Sequence, residues 1–450
     1  METHSLKTER FSNKALMAFI VPLFCEQFLV MLVGIADTLI VSYAGEAAIS
    51  GVSLVNQFNN IFIYLYAALA SGGAVVISQY IGRRDRDNGG KSASQLLLFS
   101  TVFSLVMAIL VLAFARPILS LLFGQVEADV MEACMTYLRI SAYSYPFIAI
   151  YNSGAAIFRS LGKTNVTMVI SLFSNLINVV GNLLGVFVFH AGVAGVAWPS
   201  LIARAFSALV ITILAFFPKH DVSYQKEWLS KFSWPMLQRI LHIAIPNGLE
   251  DGIFQLVKVG LSSIVAMFGT LQIAANGVAQ SIWSMAALAG VTMSPVFITV
   301  IGQRMGEGDI ENAKYFFKKL LKITLIFSSI WNLLILVGCP AFLDVYSLSA
   351  ETKTLVFWLV VIHNVFNALF FPFSGALAAG LRAAGDVRFT MIVSICSTLF
   401  IRLVFSWVLG VMFGLGVIGV ALAMAMDWGV RAIIFYGRFR SGKWSQFKVI

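Results

Sequence analysis

Charge is what this sequence has least of. Only 12% of its 450 residues are Asp, Glu, Lys or Arg, against 59% hydrophobic residues, and the mean hydropathy is +0.88. A water-soluble domain carries roughly twice that share of charge, so a soluble globular protein is excluded. Cysteine is also scarce. Cys25, Cys134, Cys339 and Cys396 form neither a CxxC pair nor a metal-like spacing, which excludes a disulfide framework and reads them as small apolar residues. No GxxxxGK[ST] loop is present, so a P-loop ATPase is excluded. No HExxH, GxSxG or paired-aspartate motif marks an intramembrane enzyme. The opening ten residues are polar and the first apolar run is too long for a signal-peptide core, so that run is expected to stay as a helix.

What fills the chain is apolar runs of about 20 residues, each able to cross ~30 Å of hydrocarbon. They are continuous rather than alternating, so they read as helices and not as barrel strands. Twelve are expected, at about 13–42, 47–79, 92–115, 130–160, 163–188, 191–217, 237–268, 271–302, 312–338, 352–380, 386–412 and 415–437. The net charge of +10 would suit nucleic acid if it formed one patch. Instead most of the basic residues fall on one side of this helix ladder. They are Lys7, Arg10 and Lys14, Arg83, Arg84, Arg86 and Lys91, Arg159 and Lys163, then Lys219, Lys226, Lys231 and Arg239. Arg304, Lys314, Lys318, Lys319 and Lys322, Arg382 and Arg388, and the C-terminal Arg438, Arg440, Lys443 and Lys448 continue the pattern. By the positive-inside rule both termini are cytoplasmic, the membrane is the inner one, and no nucleic-acid partner is expected.

The two halves repeat at an offset of 224 residues, pairing Pro22 with Pro246, Glu26 with Glu250 and Gly45 with Gly269. QYIGRRD at 79–85 pairs with QRMGEGD at 303–309, and VAGVA at 193–197 with VIGVA at 417–421. RSLG at 159–162 pairs with RAAG at 382–385, one residue short of that offset. Six helices per half is an even number, so both repeats start on the same side. The fold expected is an all-α membrane protein of two parallel six-helix repeats around a central cavity. Its parts are an N-lobe at 1–217, a cytoplasmic linker at 218–236 and a C-lobe at 237–450. Two such lobes rocking about a cavity give alternating access.

The helix with Pro22 followed by DTLIVSYAG at 37–45, QYIGRRD and its copy, and RAAGD at 382–386 together resemble the multidrug and toxic compound extrusion (MATE) family of bacterial efflux transporters. The resemblance covers essentially the whole chain. It implies a monomeric exporter of amphiphilic, often cationic compounds. The drive would be an inward H⁺ or Na⁺ gradient, with no cofactor beyond that ion. It also implies that Asp37 matches the acid of the family's N-lobe cation site, and that Asn178 matches a helix-5 asparagine of the branch in which that site is best defined. That branch has an aspartate four residues later, where this chain has Asn182. A glutamate placed eight residues after the helix-7 proline in many members is Phe254 here.

Charged residues inside a span cost roughly 2.5–3.5 kcal/mol on insertion scales, which makes each a functional candidate. Glu26 and Asp37 lie 11 residues apart on one helix, three turns plus about 20°, so they share a face some 16 Å apart. They suggest a cation path, with packing as the competing reading. Glu250 repeats the place of Glu26 one turn after a proline, a position suited to cation binding or to a shared folding role. Asp251, Gln255 and Lys258 line one face of the same helix. Asn175, Asn178 and Asn182 can offer amide oxygens to a Na⁺ shared with Asp37, the one metal ion expected. His363, Asn364 and Asn367 sit in helix 10, and packing competes with a site role for His363 and Asn367. Asp427 and Arg431 read as a structural i,i+4 pair, and Arg204 and Arg402 as structural residues near helix ends or lobe interfaces. Tyr64, Tyr143, Tyr151, Phe254 and Trp283 are the aromatics placed to meet a flat substrate, and Pro146 should kink its helix. A flippase for a lipid-linked or metabolite substrate is the second reading. It is disfavoured because Glu26, Asp37, Glu250 and Asp251 outweigh the one clear mid-span base, Lys258.

Overall fold

The computed structural model describes residues 11–218, 220–346 and 348–450. Lys7, Arg10 and Lys219, counted above on the basic side, lie outside the described residues. Every regular element among the described residues is helical. Ten helices are long and apolar enough to cross a bilayer by length and composition. In chain order, α1 is Asn13–Ser42, α2 Glu46–Arg83 and α3 Arg86–Ala113. α4 is broken into Ala128–Ala142 and Tyr145–Ser160. α5 is Thr164–Val188, α6 Ala194–Phe216 and α7 Trp234–Ala266. α8 is Thr270–Gly306, α9 Ile310–Asp344, α10 Ala350–Ala383, α11 Val387–Met412 and α12 Val417–Arg440. α4 and α7 complete the twelve expected from the sequence. The first is interrupted and the second carries Glu250, Asp251 and Lys258.

Local chemistry explains the departures from the expected boundaries. α2 and α8 run through the polar QYIGRRD and QRMGEGD segments, because Gln79 and Gln303 are buried and helical rather than in loops. Each segment then turns sharply. Arg84 (φ 61°) and Gly308 (φ 73°), 224 residues apart, take the left-handed conformation that ends a helix. Asp85 and Asp309 follow as N-caps, accepting from the backbone N–H of Asn88 and Asn312, each at 3.1 Å. The repeated motif is thus a helix–turn–helix joint. α4 breaks at Tyr143 and Ser144, so Pro146 falls in the first turn of the second piece, where its missing N–H is not needed. α1 and α7 continue as helices past Pro22 and Pro246.

The chain divides into two compact units at Ile245 and Pro246. The first packs its core around Val55, Phe62, Tyr66, Leu138 and Tyr145. The second packs around Ala275, Ala279, Leu359, Val360 and Val417. The connection after α6 is strapped to the first unit, since Gln95 Nε2 donates to the carbonyls of Trp228 and Lys231, both at 2.7 Å. On this connection His220 is held below the usual imidazole range by partial burial and by Lys163, whose Nζ lies 2.8 Å from its Nδ1.

Both units use one glycine crossing. A Cβ on Gly185 would lie 2.1 Å from the carbonyl oxygen of Gly195, where α5 meets α6. A Cβ on Gly419 would lie 2.6 Å from the backbone nitrogen of Gly410, where α11 meets α12. Small residues let backbones touch in a bilayer, where no hydrophobic drive presses helices together. Gly195→Ala and Gly419→Ala should each lower stability by about 1–3 kcal/mol through overpacking. Gly252→Ala, with nothing within 4 Å of its Cβ, should not. Melting temperatures in detergent check this, and an unchanged Gly195→Ala melt would contradict it.

Candidate functional site

α1 presents both of its acids to α5, in two different settings. Glu26 is buried and fully engaged. Its carboxylate pairs with Arg159 Nη2 at 2.8 Å and accepts from Thr167 Oγ1 at 2.7 Å and Tyr151 OH at 3.3 Å. In the second unit Glu250 pairs with Arg382 at 3.0 Å, with both side chains about a fifth exposed. The sequence aligned the two glutamates with each other and the two arginines with each other, with Arg159 at the end of helix 4 and Arg382 in the loop after helix 10. Both lie in the last turns of their helices, α4 and α10, where a cation suits the helix terminus and a long stem can reach back to a carboxylate. The duplication therefore copied an ion pair. Tyr151, expected to face a flat substrate, donates to this pair. Thr167 was not foreseen.

Asp37 has no such partner among the described residues. Asn182 Nδ2 donates to its Oδ1 at 2.7 Å. Asn178 reaches the same oxygen at 2.7 Å when its amide is turned to donate there and accept from Ser200 Oγ at 2.8 Å. The structure thus brings together Asp37, Asn178 and Asn182, while Asn175 instead reaches Ser171 Oγ at 3.4 Å. The Oδ1 of Asn182, buried beside the carboxylate, has no hydrogen-bond partner among the described residues. A cavity of about 430 Å³ opens at this point, lined by Asp37, Ser53, Asn56, Gln57, Asn60 and Asn182 with apolar residues between them. Asp37 is the one charged residue among those lining it. The α2 amides were missed in the sequence. Their signal was NQFNN at 56–60, a polar run inside an apolar span. Tyr64 and Tyr143 are partly exposed and outside this lining.

In the second unit Phe254 meets two cations, with Lys258 Nζ and Arg402 Cζ each 5.0 Å from its ring centre. Arg402 is not at a helix end. It is buried in a widened π-turn of α11, Ser397–Leu403, and its Nη2 lies 2.7 Å from Asp427 Oδ2. The expected Asp427–Arg431 pair is present on that same oxygen at 2.9 Å. The charge balance read from the sequence therefore changes, because Glu26 and Glu250 are neutralised while Arg402 and Arg431 join Lys258. Trp283 stacks on Trp428 at 5.9 Å. His363 and Asn367 are buried in α10. Asn367 Nδ2 donates to Asn332 Oδ1 at 3.1 Å and to the Ala286 carbonyl at 3.3 Å, ties that join α10 to α9 and α8. Asp251 and Gln255 remain on the face of α7 shared with Lys258. No group of three or more His, Cys, Asp or Glu that could hold a metal ion occurs among the described residues.

The MatE family model matches the chain twice, over residues 22–184 and 246–408, two segments related by the 224-residue offset. An uncharacterized transporter, YisQ of Bacillus subtilis, is 26% identical over 449 residues, covering 98% of this chain and 97% of YisQ. A probable multidrug resistance protein, NorM of Thermotoga maritima, is 23% identical, covering 97% of this chain and 94% of NorM. A crystal structure of a MATE protein in a bent conformation has the same fold. It matches with a TM-score of 0.87 at 22% identity, over 96% of each chain.

Proposed function

Since the chain belongs to the MatE family of multidrug efflux transporters, multi-pass proteins of the membrane, we propose that it is a cation-coupled antiporter. It exports amphiphilic, often cationic drugs or toxic compounds by alternating access, in exchange for H⁺ or Na⁺. The membrane is the inner one and both termini face the cytoplasm, as the basic residues of the loops favour. One observation carries the reading. Asp37, the charged residue of a polar membrane cavity, is held by amides alone, beside an amide oxygen with no donor. A carboxylate so placed can take a proton, and with the Asn182 oxygen it offers the hard ligands that Na⁺ prefers. The ion and the substrate need only favour different conformations for one to drive the other.

The test is purified protein in liposomes loaded with ethidium, with H⁺ and Na⁺ gradients imposed one at a time. Ethidium movement should accelerate under one gradient and stop when that gradient is collapsed. Movement indifferent to both gradients would refute coupling, and no movement of this or other amphiphilic cations would refute the exporter.

A further inference from the structure

The second unit carries an embedded cluster that the coupling reading does not use. Asp427 is its only carboxylate, and that one group serves two guanidinium groups. Arg402 Nη2 at 2.7 Å and Arg431 Nη2 at 2.9 Å share its Oδ2, while Oδ1 accepts from Ser397 Oγ at 2.6 Å. Lys258 also lies against Phe254. Both Lys258 and Arg402 lie 5.0 Å from that ring centre, so they are at most about 10 Å apart. The cluster that includes this ring thus holds three cations and one anion.

No other carboxylate forms a salt bridge with them among the described residues. Glu250 is already bound to Arg382. Asp251 lies seven residues before Lys258, about two turns away, and makes no ion pair among the described residues. Lys258 is exposed on its unit and eight residues short of the end of α7 at Ala266. That is about 12 Å of helix, more than a lysine stem spans by snorkelling. The Nε of Arg402, on a side chain only 3% exposed, has no hydrogen-bond partner among the described residues. Buried charges left in this state are costly unless something pairs with them.

We propose that the second unit binds the acidic group of an amphiphilic substrate at Lys258 and the Arg402–Arg431 pair, with the apolar body of the substrate against Phe254. The substrate range then includes amphiphiles that bear a carboxylate, sulfonate or phosphate, zwitterions among them, in addition to cations. The phosphate could belong to a lipid headgroup or to a water-soluble compound, and the chemistry of recognition is the same. The inference rests on the exporter reading for its meaning but not for its test, which is equilibrium binding.

The experiment titrates 8-anilinonaphthalene-1-sulfonate and, separately, ethidium into the detergent-purified protein. Lys258→Gln should weaken the sulfonate about tenfold, as loss of one charged contact does. Lys258→Arg should restore it, and ethidium should bind equally to all three proteins. Lys258 is exposed on its unit, so these variants avoid the folding risk of removing Arg402. Sulfonate binding that Lys258→Gln leaves unchanged, or an equal loss for both probes, would overturn the proposal. Repeating the sulfonate titration in nanodiscs separates the sources. Competition by phosphatidylglycerol that Lys258→Gln removes assigns the site to a lipid headgroup. Undisturbed sulfonate binding assigns it to a soluble acid. If no gradient moves ethidium in liposomes, the antiporter reading falls while this binding result stands.

Discussion

Arg159→Ala is expected to destabilise the protein by roughly 3–5 kcal/mol, the penalty for stranding one member of a buried ion pair. Glu26 would keep Thr167 and Tyr151 as donors, but its side chain is only 4% exposed and no other cation is paired with it among the described residues. Arg382→Ala should be milder, because Glu250 is 19% exposed and water can reach it. Pairing Arg159→Met with Glu26→Leu should recover much of the loss, since matched apolar groups of similar volume often replace a buried pair without penalty. Melting of the three variants and the wild type in detergent reads all of this. An Arg159→Ala melt no lower than that of Arg382→Ala would show that the first ion pair is not the structural lock inferred here.

The second large effect concerns coupling. Asp37→Asn should reduce gradient-driven transport about a hundredfold, as expected when an ion site loses a charged ligand worth about 3 kcal/mol. Adding Asn182→Asp moves the carboxylate across a 2.7 Å contact instead of removing it, so the double variant should recover part of the coupling. If Asp37 only holds α1 against α5, the double variant should be no more active than Asp37→Asn. Ethidium flux in liposomes under the effective gradient separates the two outcomes.

The spans and the duplication were legible in the sequence because each rests on local pattern. Apolar run length gives the helices, and the 224-residue offset gives the repeat. The ion pairs were not legible, although all four residues were aligned. Glu26 and Arg159 are 133 residues apart in the chain, and an internal alignment matches each residue to its copy, not to its contact. Arg402 failed for a similar reason. The i,i+4 spacing gave Asp427 to Arg431, while the contact of Asp427 with Arg402, 25 residues earlier in the chain, has no local pattern. The amides of α2 were passed over because attention went to ionisable groups, while the cavity beside Asp37 is lined mainly by neutral polar ones. Asp37, Asn178 and Asn182, positions that the family resemblance marked, are in contact in the fold.

What distinguishes Asp37 from Glu26, the other acid of α1, is that it has no salt bridge among the described residues, and the account depends on an ion taking that place. The most direct measurement is ion release in weakly buffered detergent solution, followed with pH and Na⁺ electrodes as ethidium is added. The account predicts that the wild-type protein releases H⁺ or Na⁺ in proportion to the ethidium bound, and that Asp37→Asn binds ethidium without release. Equal release from Asp37→Asn and wild type would contradict it.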